Sequence, residues 1–140
     1  MLIEFRDNLL KGILMVSSID TALSGIFASS KLLEVSANNL ANQFSTQTLQ
    51  NGQISNTPYI PQKVDQISLS SGGVLAQVGN VNPATTTVPD PQGNGTIQQP
   101  NVDTANELIQ QHIASYDFKA NLKTIQTQDN LLKSLLDIVS

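Results

Sequence analysis

SSIDTALSGIFASSKLLEVSANNLAN, residues 17–42, contains no proline and one glycine, and its apolar side chains recur at a helical interval. Ile19, Leu23, Ile26, Ser30, Leu33, Ala37 and Leu40 lie alternately four and three residues apart, the period of a coiled-coil seam. Ser17 or Ser18 is placed to cap the helix, and Asp20 to complement its dipole. The spacing therefore predicts a helix over 17–42, roughly 37 Å long at 1.5 Å per residue. Its end is unusual, because Asn38, Asn39 and Asn42 crowd the last turns. Asparagine is a mediocre helix former whose amide competes with the backbone for hydrogen bonds. A helix C-terminus accounts for one of them, since asparagine tolerates the left-handed conformation there. Three are better accounted for by amides that bond between packed helices, or to the same element of adjacent copies.

The other end of the chain repeats the helical pattern. Asp103 is a plausible N-cap, and Glu107 lies where a negative charge favours the helix dipole. Two apolar stripes follow. Ile109, Ile113, Tyr116, Ala120, Thr124, Thr127, Leu131, Leu135 and Ile138 recur with a period near eleven residues, and Phe118, Leu122, Ile125, Leu132, Leu136 and Val139 with one near seven. A helix with two stripes is built to touch neighbours on more than one side. Between the terminal helices, residues 43–100 hold all six prolines, six of the eight glycines and only three charges, Lys63, Asp65 and Asp90. No long helix survives that composition. KVDQISL (63–69) and GVLAQVGNV (73–81), joined through Ser70-Ser71-Gly72-Gly73, have the chemistry of a β-hairpin, whereas NPATTTVPDPQGNG (82–95) reads as an extended linker.

The expected fold is mainly α: long N- and C-terminal helices packed as a coiled-coil-like hairpin, with a small β-hairpin in a proline- and glycine-rich middle. The expected units are an N-terminal extension (1–16), a helix (17–42), the middle (43–100) and a C-terminal helix (101–140). Leu2, Phe5, Leu9 and Ile13 are alternatively spaced to prolong the first helix. With only 4% aromatic residues and 13% charge, a compact independent core is thin, and other chains are expected to supply missing contacts.

Composition also excludes classes of function. Seven Lys and Arg against eleven Asp and Glu give a formal charge of −4, with no basic stripe to neutralise phosphates, so no nucleic-acid partner is expected. There is no cysteine, and His112 is the single histidine, which leaves neither an ordinary metal site nor a nucleophile–base pair. Asp117, Asp129 and Asp137 are scattered along one helix, and GNG (93–95) and SGG (71–73) fall short of a phosphate-binding loop. No catalysis and no cofactor are expected. Residues 1–16, interrupted by Glu4, Arg6, Asp7 and Lys11, form neither a signal-peptide core nor a membrane span, so no direct membrane insertion is expected.

ALSGIFASSKLLEVSANNLANQFSTQ (22–47) resembles the N-terminal motif of the flagellar rod and hook proteins, a small-residue SG segment followed by a helical run, NNLAN and a Ser/Thr-rich tail. NVDTANELIQQHIASYDFKANLKTIQTQDNLLKSLLDIV (101–139) resembles the C-terminal signature of the same family, and DPQGNGTIQQPNV (90–102) the segment preceding it. The short chain resembles the proximal rod members most. PYIPQKV (58–64) departs from the family, with Ile60 and Pro61 where relatives carry a basic pair. Relatives also start near the first helix, so residues 1–14 resemble an extension, with Met15 as an alternative start.

The resemblance implies a structural subunit of the basal-body rod in the periplasmic space. Its partners would be copies of itself, other rod subunits and the flagellar type III export apparatus, reached by an uncleaved N-terminal signal. The residues then expected at subunit interfaces are Leu23, Ile26, Leu33, Asn38, Asn39, Leu40 and Asn42 on the first helix. On the second they are Ile109, Ile113, Tyr116, Leu122, Ile125, Leu132 and Leu136. The competing class is a soluble helical adaptor or export-associated binding module, which would be a folded monomer or dimer at low concentration.

Overall fold

Helix α1 spans Leu2–Asn42 in the structure, a computed structural model that describes residues 2–46, 49–50, 53–54, 59–93 and 95–139. It runs through the predicted cap at Ser17 and Ser18: the Ser17 carbonyl accepts from Thr21 Oγ1 at 2.9 Å instead of opening a helix. The sequence before it explains this. Leucine, glutamate, arginine, lysine and methionine are all good helix formers, and one glycine at 12 costs only about 1 kcal/mol in a long helix.

Helix α2 (Thr104–Val139) returns antiparallel along α1. Thr104 Oγ1 donates to Gln43 Oε1 at 2.6 Å, Ser36 Oγ donates to the Glu107 carbonyl at 2.8 Å, and further along Gly25 faces Asn121. Asp103 caps α2 as its sequence predicts, its carboxylate accepting from Asn106 N at 3.0 Å, and Glu107 lies in the first turn.

The faces in contact are not the apolar seams. Helix α1 turns Ala22, Gly25, Ser29, Leu32, Ser36 and Asn39 inward, and α2 meets them with Glu107, Ala114 and Asn121. The buried core is accordingly built of small side chains, with Leu32 and Val35 its largest apolar members. The seam of Ile19, Leu23, Ile26, Ser30, Leu33, Ala37 and Leu40 lies along an adjoining flank, exposed or half-buried. A glycine, alanine and serine face allows two backbones to approach where leucines would hold them apart, and this explains the difference from the expected seam.

The middle segment folds into antiparallel pairs. Strands β1 (Leu49–Gln50) and β2 (Gln53–Ile54) make a two-residue ladder. Strands β3 (Gln62–Ser68) and β4 (Val74–Asn80) form the predicted hairpin, in register Val64↔Val78 and Ile67↔Leu75. Gly72 and Gly73 both take φ of 92° in its turn, which only glycine adopts without strain.

Strands β5 (Thr85–Pro89) and β6 (Thr96–Pro100) form another hairpin where an extended linker was expected. Three successive β-branched threonines favour strand, and Thr85 and Thr87 hydroxyls bracket the Gln98 side-chain amide at 2.9 and 3.0 Å across the ladder. Asp90 closes the turn by accepting from Gln92 N at 2.9 Å, and both prolines sit at strand ends, where a missing donor is harmless. The molecule is thus mainly α with small β-hairpins.

Candidate functional site

The three asparagines of the NNLAN stretch have three different fates. The Asn38 amide donates to the Glu34 carbonyl of its own helix at 3.1 Å. The Asn42 amide donates to the Asn38 carbonyl at 2.9 Å, and its oxygen accepts from Ser45 at 3.3 Å, the expected chemistry of a helix end. Asn39 is 0% exposed. Its nitrogen donates to the Gln62 carbonyl at 2.7 Å and to Glu107 Oε1 at 2.6 Å. Its oxygen accepts from Gln62 N at 3.0 Å and from Tyr59 Oη at 2.9 Å. Two donors and two acceptors are the full capacity of a side-chain amide. Asn39 therefore joins α1 to α2 and to the base of the β3–β4 hairpin within one chain, rather than reaching a neighbouring copy.

Around it, Pro61 and Ser36 are also fully buried. The junction thus takes the Pro61 ring into its interior. Burial pushes the Tyr59 phenol above its ordinary value, and the Glu107 carboxylate raises it further. A phenol kept protonated remains a donor to Asn39.

At the far end of the hairpin a second attachment holds. Val74 N donates to Ser24 Oγ at 3.0 Å, and Ser24 Oγ in turn donates to the Thr21 carbonyl at 2.7 Å. A Cβ added at Gly73 would stand 2.5 Å from Ser24 Oγ, so glycine also lets the turn lie against α1. The two attachments are commensurate. About 22 Å of helix separates Ser24 from Asn39 at 1.5 Å per residue, and about 20 Å of strand runs from Gln62 to Ser68, the ladder partner of Val74, at 3.3 Å per residue.

The remaining predicted interface residues fall into two groups. Leu23, Ile26, Leu33 and Leu40 of α1 are exposed or half-buried, and Leu33 lies beside Phe118 of α2. Further along α2, Ile125 and Leu132 are half-buried, and Leu136 is exposed. On the opposite flank of α2, Ile109, Ile113 and Tyr116 are 56%, 43% and 70% exposed. The residues expected together at subunit interfaces therefore fall on separate flanks.

Sequence reasoning passed over Tyr59, Gln62, Ser24 and Gly25, and gave Glu107 only a dipole role. A glycine inside a strong helical pattern was the available signal for Gly25. Tyr59 and Gln62 carry no local signal. No group of three or more potential metal ligands occurs among the described residues, and no described helix is long and apolar enough to cross a membrane.

Comparison with known proteins bears on the arrangement as a whole. Residues 94–138 match the family described as flagellar basal body rod FlgEFG protein C-terminal. The flagellar basal-body rod protein FlgC of Salmonella typhimurium is 30% identical over 131 residues, covering 89% of this chain and 97% of that protein. FlgC of Yersinia enterocolitica is 31% identical over 136 residues, with the same shares covered. The flagellar hook protein FlgE of Escherichia coli is similar only locally, 36% identical over 45 residues that make up 32% of this chain and 11% of the hook protein.

Proposed function

Because the chain belongs to the FlgC family of flagellar basal-body rod proteins, we propose that it polymerises through its terminal helices into the rod and there transmits torque. It is a structural component of the flagellar basal body and not an enzyme. Its relatives among rod and hook proteins imply assembly with other flagellar components.

The observation that carries the polymerisation reading is the pair of exposed apolar flanks on α1 and α2, which a lone chain leaves in water. Copies of the chain and neighbouring rod proteins would cover Leu23, Ile26, Leu33 and Leu40 on one side and Ile109, Ile113 and Tyr116 on the other. Leu122, Ile125, Leu132 and Leu136 would continue the contact toward the chain terminus. In this reading the terminal helices pack as coiled-coil-like layers of a tube that crosses the periplasmic space. Export through the flagellar type III apparatus, by an uncleaved N-terminal signal within α1, would deliver the subunit there.

The test is genetic and biochemical. In a strain lacking this gene, expression of the chain should restore motility, and purified basal bodies should contain it in their rods. Restored motility with the chain absent from basal bodies would transfer the assignment to an export-associated adaptor.

A further inference from the structure

Opposed residues in an antiparallel ladder alternate between pairs that exchange backbone hydrogen bonds and pairs whose N–H and C=O point away from the partner strand. In the β3–β4 hairpin this alternation is fixed at both ends, because Val81 N donates to the Pro61 carbonyl at 2.8 Å and Leu69 N to the Gly73 carbonyl at 3.0 Å. The register between them turns the backbone of Gln62, Val64, Gln66 and Ser68 outward on β3. On β4 it turns out Val74, Ala76, Val78 and Asn80. A hairpin therefore has two edges, and each is a template on which a further strand can pair.

Helix α1 closes one end of each. At Gln62 the Asn39 amide takes both outward groups, donating to the carbonyl at 2.7 Å and accepting from N at 3.0 Å, as the backbone of a neighbouring strand would. At Val74 the outward N donates to Ser24 Oγ at 3.0 Å. The helix thus meets the β3 edge at the base of the hairpin and the β4 edge at its turn. We propose that α1 is an edge guard: Asn39 and Ser24 stand in for strands and keep the hairpins of different copies from adding to one another. The guard does not depend on how copies join in a rod.

The β5–β6 hairpin meets the same need with prolines. Asp90 N donates to the Gly95 carbonyl and Asn101 N to the Ala84 carbonyl, both at 2.9 Å, so Pro89 on β5 and Pro100 on β6 fall at outward positions, where they offer no donor. All four edges of these two hairpins are therefore interrupted at an outward position, and none keeps more than three in succession. Short edges, prolines and a covering helix are the means by which folded chains avoid edge-to-edge pairing. Strand β4 needs its guard most, since Val74–Asn80 contains neither a charge nor a proline, whereas β3 carries Lys63 and Asp65.

Thioflavin fluorescence and the infrared band of intermolecular sheet, followed in agitated solutions of the full chain, test the guard. Asn39→Ala frees the Gln62 edge but also weakens the fold. It is therefore compared with Leu32→Ala, which loses buried apolar contact and no hydrogen bond to either edge, in urea adjusted to leave both chains equally unfolded. Asn39→Ala should form intermolecular sheet about tenfold faster, and adding Ser24→Ala should accelerate it further. Adding Gln66→Lys instead places a charge on the opened edge. That chain should fall back to the Leu32→Ala rate while its urea midpoint stays low, which restored folding would not produce. Equal rates for Asn39→Ala and Leu32→Ala at matched unfolding, or a fast rate that Gln66→Lys leaves unchanged, would overturn the proposal.

Discussion

Asn39 has every hydrogen-bonding position filled by its own chain, so its loss is felt at four partner atoms at once. Asn39→Ala would strand the Gln62 backbone donor and acceptor, the Tyr59 hydroxyl and one Glu107 oxygen. Leaving a buried group unpaired costs about 1–3 kcal/mol, so a loss of about 3 kcal/mol is expected in urea unfolding. Asn39→Asp keeps the shape but removes both donors and sets a second carboxylate beside Glu107, so it should not rescue. Tyr59 supplies the pH dependence of the junction. The folded state holds its phenol above the ordinary value of 10.0, because ionisation is disfavoured by burial and by Glu107. Its contribution is therefore fully present below pH 10 and is lost as pH climbs through the raised folded value. Absorbance titration of a Tyr116→Phe chain, which leaves Tyr59 as the only tyrosine, should give a midpoint above that of the denatured chain. The sequence marked the asparagines as a cluster needing amide partners. It did not separate Asn39 from Asn38, because neighbouring residues on a helix point about 100° apart and only non-local packing decides which one is buried.

At the level of elements, both long helices and the β3–β4 hairpin were legible from periodicity and turn chemistry, and the second hairpin was not. Its three threonines signal strand, but they lie among prolines and glycines that equally describe a linker. The face of α1 that meets α2 was hidden for another reason. Periodicity finds where the large apolar residues are, whereas this pair is formed by the small ones. Gly25 shows the constraint: a Cβ there would stand 2.5 Å from Asn121 Nδ2 and 2.8 Å from its Cγ. Gly25→Ala gains up to about 1 kcal/mol of helix propensity, but displacing Asn121 costs about 1–3 kcal/mol as overpacking. A net loss of about 1 kcal/mol is expected. Adding Asn121→Ala should remove the clash and return the urea midpoint to at least the wild-type value.

For the whole molecule, the two attachments of the β3–β4 hairpin decide how the middle segment rides on the helices. Asn39 holds its base and Ser24 its turn, across nearly equal lengths of strand and helix. Lengthening β3 and β4 by two residues each would carry the turn about 7 Å past Ser24 at 3.3 Å per residue. The Val74 to Ser24 bond should then be lost while the Asn39 bonds persist. Amide exchange would report this as faster exchange at Val74 and unchanged protection at Gln62. The mainly helical architecture with small hairpins was open to sequence reasoning because composition changes sharply at both ends of the middle segment. The docking of that segment was not, since it depends on matched lengths in elements distant along the chain.

The turn between β5 and β6 contrasts with this anchored arrangement. A Cβ placed at Gly93 or Gly95 meets nothing within 4 Å. That makes the turn a natural position for a short epitope or fluorophore, by which individual subunits could be counted and located along a basal body in intact cells.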